Sequence, residues 1–160
     1  MAEAMAKDKV DRIIRRIRGV IGLEEFVKVE LEDENVIRIK MEVPTDRVNF
    51  VNTHSGYLER ERKRVVAFTI GIYNNDGIHI IRLWLVKNTL LVDRSIRTRD
   101  LTGCSKEMTE TGEEWCRDYR EDEVGRFKLR VKGMEFHVTA NNSPTMPLIT
   151  AYVWVYLRPG

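Results

Sequence analysis

Apolar residues recur along this chain with two different periods. Val10, Ile13, Ile14, Ile17, Val20 and Ile21 keep the i, i+3, i+4, i+7 spacing of one helical face. The spacing predicts an amphipathic helix over 4–21. Lys9, Arg12, Arg15 and Arg16 project from its other side, and Arg18 lies nearer the edge. Gly22 stands where a helix C-cap is expected, and Gly19 weakens the last turn.

After Leu23 the period falls to two. Val27, Val29 and Leu31 alternate with Lys28 and Glu30, and Ile37, Ile39, Met41 and Val43 with Arg38, Lys40 and Glu42. The turn-like Glu32-Asp33-Glu34-Asn35 between them makes this a half-buried antiparallel hairpin, ended by Pro44. A polar stretch, Asn52-Thr53-His54-Ser55-Gly56, reads as a loop. Val65 to Tyr73 and Ile78 to Val86 are apolar on both faces, which predicts central strands joined through Asp76-Gly77. Leu90 to Ile96 continues the sheet. Phe127 to Val131 and Met134 to Val138 alternate on either side of Gly133, which reads as a turn. Leu148 to Leu157 is the final strand, with Tyr152, Trp154 and Tyr156 on one face and Ile149, Ala151, Val153, Val155 and Leu157 on the other.

One helix followed by about eight hairpin-spaced strands predicts a mainly β protein. The class is an antiparallel β-sandwich or barrel, of which a jelly roll is one member. The expected organisation is a basic helix or arm over 1–22 and a β-domain over 23–160.

Charge adds an asymmetry. Formal net charge is only +2, but residues 102–124 hold eight acidic and three basic side chains. This segment reads as a long acidic loop with a helical turn near Glu113 to Tyr119. Residues 7–18 hold six basic and two acidic side chains, and Asp8 and Asp11 dilute the helix's positive side.

Catalytic signatures are missing. The chain lacks G-x-S-x-G, Walker A and G-x-G-x-x-G patterns, and its three histidines (His54, His79 and His137) have no ligand-like spacing. Cys104 and Cys116 form no C-x-x-C pair, and two free thiols are expected of a chain without a visible export signal. That absence also makes the Asn141-Asn142-Ser143 sequon a coincidence in a loop. No apolar run reaches the roughly 18 residues of a membrane-spanning helix. An intracellular or virion location is the expectation, with no metal and no cofactor.

The positive signals are therefore surfaces. Lys9, Arg12, Arg15 and Arg16 could face nucleic-acid phosphates, or an anionic membrane with the isoleucines inserted; the plainer alternative packs the isoleucines on the sheet. Arg60, Arg62, Lys63 and Arg64 would form a phosphate-binding patch if Arg94, Arg97 and Arg99 lay beside them. Glu113, Glu114, Glu121, Asp122 and Glu123 could meet the basic face of another subunit, or fold back over their own. Tyr152, Trp154 and Tyr156 are expected on an inner face of the sandwich, or else anchor a protein contact.

The most economical function is a self-associating β-rich subunit, coat- or matrix-like, that touches nucleic acid or an anionic membrane. One rival is an enzyme or small-ligand binder with His79, Tyr73 or Trp84 turned into an internal pocket. Another is an inhibitor whose acidic loop mimics nucleic acid.

Overall fold

A computed structural model describes residues 7–48, 50–60, 63–74, 77–99, 106–108, 114–116, 119–141 and 148–158. Helix α1, Lys7–Ile21, forms where the 3.6-residue period placed it. Gly22 follows in the left-handed conformation at φ 57°, and its N–H donates to the Arg18 carbonyl at 2.9 Å. Glycine tolerates that conformation without a Cβ penalty.

Ten strands follow in chain order: β1 Val27–Asp33, β2 Val36–Pro44, β3 Phe50–Arg60, β4 Lys63–Asn74, β5 Gly77–Val86, β6 Thr89–Arg99, β7 Lys106–Met108, β8 Glu114–Cys116, β9 Tyr119–Asn141 and β10 Leu148–Leu157. Eight of them make one antiparallel sheet in the order β1-β2-β10-β9-β6-β5-β4-β3, and β7 pairs with β8. The sheet does not close. Strand β9 is 23 residues long. Its first half pairs with β6 and its second half with β10, so one strand runs through both halves of the sheet. The halves fold toward each other. Phe136 on the second half of β9 lies 6.1 Å from Phe68 on β4 and 6.2 Å from Tyr57 on β3, ring centre to ring centre.

The helix covers what this folding leaves open. Val10, Ile13, Ile14, Ile17, Val20 and Ile21 are all buried, in one core cluster with the inner faces of both halves. α1 packs on β9, β1 and β6. Helix and strand approach closely at Gly125, where a Cβ would lie in van der Waals contact with Val20, 3.4 Å from its Cα. Arg18 donates to the Val29 carbonyl from Nη2 at 2.7 Å and Nε at 3.2 Å, tying the helix to edge strand β1.

The mainly β, helix-first architecture thus agrees with the alternation in the sequence, and β4 and β5 are interior strands as their two apolar faces required. Four expectations are corrected. The polar stretch around His54 is not a loop but the middle of β3, because β4 supplies a full antiparallel ladder from Phe50 to Arg60. Gly133 makes no turn. β9 continues through it, and the irregularity is a bulge, with Tyr156 opposite Gly133 and Leu157 opposite Val131. The helical turn near 113–119 is replaced by strand at 114–116 and from Tyr119 onward, and the acidic run 121–124 belongs to β9.

The aromatic row of β10 does not form an inner face. Ala151, Val153, Val155 and Leu157 point inward at 0–2 % exposure, while Tyr152, Trp154 and Tyr156 face outward and are half-buried. Both sets are apolar, so the strand alone cannot choose between them. The choice is made next door: β2 and β9 place Lys40, Arg38, His137 and Glu135 in register with the aromatics.

Ile17 is wholly buried and Arg12 is exposed on the same helix. Ile17→Ala should cost about 2–5 kcal/mol of folding stability, and Arg12→Ala no more than about 0.5 kcal/mol. Urea unfolding of the two variants measures both.

Candidate functional site

The outer surface carries the charged and aromatic chemistry, and each group can be placed on its element. On α1, Lys9, Arg12, Arg15 and Arg16 are exposed, as are Asp8 and Asp11. The Arg16 guanidinium sits 4.8 Å from the centre of the Phe127 ring, a cation–π contact that fixes its stem. The isoleucines are buried in the core, so the helix has only its polar side to offer a partner. Insertion of that stripe into a membrane is incompatible with this packing. Among the described residues no helix is long and apolar enough to cross a membrane.

The two arginine groups do not meet. Lys63 begins β4, whereas Arg97 is in register with Ile78, itself opposite Tyr73 at the far end of β4. Ten residues of strand separate the two ends, roughly 33 Å. Arg94 lies on the inner face, with Nη2 3.2 Å from His79 Nδ1. Arg60, Lys63 and Arg64 belong to the β3–β4 hairpin by backbone register, but their side chains, that of Arg99, and the whole of Arg62 lie outside the described residues.

The acidic group is partly neutralised at home. Glu121 accepts from Arg82 and Arg97, each at 3.4 Å, and Asp122 pairs with Arg120 at 3.0 Å. Glu123 is exposed opposite Ser95. Glu113 and the side chain of Glu114 lie outside the described residues, as do Cys104 and the side chain of Cys116. At Glu121 and Asp122 the acidic run folds back on basic residues of its own chain.

Of the three side chains named for an internal pocket, one turns inward. His79 is buried on the inner face, but Trp84 lies on the outer face, where its indole N–H donates to Thr69 Oγ1 at 3.0 Å, and Tyr73 shares that outer face. Outside β4 and β5, a groove of about 230 Å³ is lined by Asn52, His54, Thr69, Arg82 and Arg97. Arg82 reaches Asp93 at 3.5 Å without an aligned hydrogen bond. Burial pushes the Asp93 carboxyl above the usual carboxylate range, against the pull of Arg82. Among the described residues no three His, Cys, Asp or Glu side chains gather as a metal site.

The most organised outer surface crosses β1, β2, β10 and β9. Tyr152 and Trp154 stack with ring centres 5.8 Å apart and planes 11° apart. Cross-strand register sets Tyr152 in the row Lys28, Lys40, Tyr152, His137, and Trp154 in the row Glu30, Arg38, Trp154, Glu135. Lys40 Nζ lies 5.9 Å from the Tyr152 ring centre and 2.8 Å from Glu42, whose carboxylate holds the ammonium pKa above its ordinary value. Arg38 pairs with Glu30 at 3.0 Å. The Tyr156 hydroxyl donates to Glu135 at 3.0 Å; burial first, then that carboxylate, raises its pKa.

On the same outer side, Arg126, Lys128, Arg130 and Lys132 are exposed along β9. In the sequence, Lys128, Arg130 and Lys132 are the polar phase of the alternation that begins at Phe127. That phase, set beside the inward phase of β10, is the signal that would have exposed both columns.

Comparison with protein-family models, curated proteins and solved structures finds no match.

The Asp93 shift gives a test with a definite sign. Its folded pKa is above the unfolded value, so its contribution is stabilising below the unfolded carboxyl pKa and is lost as pH rises through the folded one. Asp93→Asn should therefore gain on the parent as pH rises from 3 to 7, read as the difference in melting temperature.

Proposed function

We propose that this chain is a structural subunit that pairs with copies of itself edge to edge and holds a basic helical surface toward nucleic acid. The observation that carries the reading is strand β3. Among the described residues it pairs only with β4, so its other side is an edge. From Phe50 to Leu58 it contains no Lys, Arg, Asp, Glu or Pro.

Edge strands are ordinarily protected by charge, proline, bulges or a covering element. The opposite edge, β1, has such protection: it carries Lys28, Glu30, Glu32 and Asp33, and Arg18 occupies the Val29 carbonyl. The two edges are therefore unlike, which favours β3 meeting β3 of a second copy across a two-fold rather than β3 meeting β1. His54 and Ser55 are exposed near the middle of this strand and would sit close to such an axis.

The helix supports the second half of the reading. Its buried stripe anchors Lys9, Arg12, Arg15 and Arg16 on a fixed frame, so cations can meet phosphates without ordering an arm first. Paired protomers would double that surface. A coat or matrix layer is the kind of assembly such a subunit would build, an analogy from architecture alone.

Light scattering after size exclusion in low salt, with absorbance at 260 and 280 nm, tests both halves. A defined oligomer with excess 260 nm absorbance is expected. The double variant His54→Lys, Ser55→Lys should elute as a monomer that still melts cooperatively. Converting Lys9, Arg12, Arg15 and Arg16 to Gln should lower the slope of log affinity against log salt by about 3 for a single-stranded oligonucleotide. A parent protein that is monomeric and free of nucleic acid in low salt would overturn the reading.

A further inference from the structure

The outer face of β9 and β10 has a chemistry that the helix does not. We propose that it is a binding platform for a single-stranded nucleic acid, with bases on the Tyr152–Trp154 pair and phosphates along Arg126, Lys128, Arg130 and Lys132. This rests on the nucleic-acid half of the function proposed above and specifies the form of nucleic acid.

Three observations converge. The first is the aromatic pair itself, stacked and partly exposed on the outer sheet face. Base–aromatic stacking is indifferent to sequence, because every base has a π-face, and it requires bases that are not already paired and stacked. The second is the state of the charges. Glu30 and Glu42 on this face are engaged by Arg38 and Lys40, and Glu135 accepts from Tyr156. Lys128, Arg130 and Lys132 are exposed and make no ion pair among the described residues, whereas Arg126 stands opposite Asp93 in the β6–β9 ladder. Glu135 keeps its negative charge, since a neutral hydroxyl does not cancel it, but Lys128, Arg130 and Lys132 outnumber it.

The third observation is spacing. Arg126, Lys128 and Arg130 are alternate residues of one strand, about 6.7 Å apart. A column of cations at that spacing can follow a phosphate backbone. The column supplies backbone contacts, and the aromatic pair supplies the preference for unpaired bases. The bulge at Lys132 carries β9 from the basic column to Gly133, opposite Tyr156, so both columns belong to one continuous outer surface.

The test uses the full chain and fluorescence anisotropy of labelled oligo(dT), with a duplex of equal length as comparison. The parent should bind the single strand at least tenfold more tightly than the duplex and show quenched tryptophan emission. Trp154→Ala should weaken single-strand binding roughly tenfold or more, while Trp154→Phe keeps most of it; thermal melts confirm that both variants fold. Lys128→Gln with Arg130→Gln should reduce the salt slope by about 1.4.

Equal affinity of parent and Trp154→Ala for oligo(dT) would overturn the platform. So would a change of oligomeric state in Trp154→Ala without a change in affinity, which would make the aromatics a protein contact. If affinity is lost only in the α1 glutamine variant, the platform falls and the helix reading stands. If the parent binds neither oligonucleotide even in low salt, the nucleic-acid half of the proposed function falls, and the platform with it.

Discussion

An antiparallel sheet that does not close has an apolar inner face with nothing opposite part of it, and that constraint governs this molecule. The folding together of the two halves covers one part, where Phe136 meets Phe68 and Tyr57. α1 covers the part over β6, β9 and β1 with six buried aliphatic side chains. Burial of such a side chain is worth roughly 1.5–3 kcal/mol, so the helix is a wall of the core. Its orientation follows from this. The aliphatic stripe must face the sheet, and the arginines are left in water as a consequence of packing.

Once the inner face is fixed, the period of two in each strand fixes the outer one. This is why chemistry accumulates on the outside: the stacked pair and its charged rows on β10, β2 and β9, and the Arg82–Asp93–Glu121–Arg97 group on β5, β6 and β9. The two surfaces differ electrostatically. In the second group each described cation has an acidic neighbour. Along the middle of β9 Arg126 faces Asp93, while Lys128, Arg130 and Lys132 make no ion pair among the described residues.

The helix and the alternating strands were legible because each has one apolar face, and a single face leaves only one way to pack. Legibility failed where both faces are apolar or neither is. β10 has aromatics on one side and aliphatics on the other, and only its register with Lys40 and His137 decides which faces out. β3 looked like a loop because its residues from Asn52 to Gly56 are small and polar. What makes it a strand is the ladder offered by β4, a long-range fact absent from the local sequence. Gly133 carried a turn signal that the pairing of β9 with two different neighbours overrides. The basic patch failed for a related reason: strand order and register, which no single segment encodes, put Arg97 and Lys63 at opposite ends of β4.

The strand order also sets a timetable. β3, β4, β5 and β6 are neighbours in both sequence and space, so this meander can form from local hairpins. β1 and β2 form a second hairpin far from it in the sheet. Nothing joins the two until β9 and β10 are in place, since β10 lies between β2 and β9. Until then β6 and β2 are both bare edges, and the inner faces of two separate hairpin systems are open to water. Contacts of such high sequence separation slow folding, and species with unpaired edges are prone to aggregate. The native topology is therefore closed by β9 and β10, the last two strands in chain order, and by no strand before them.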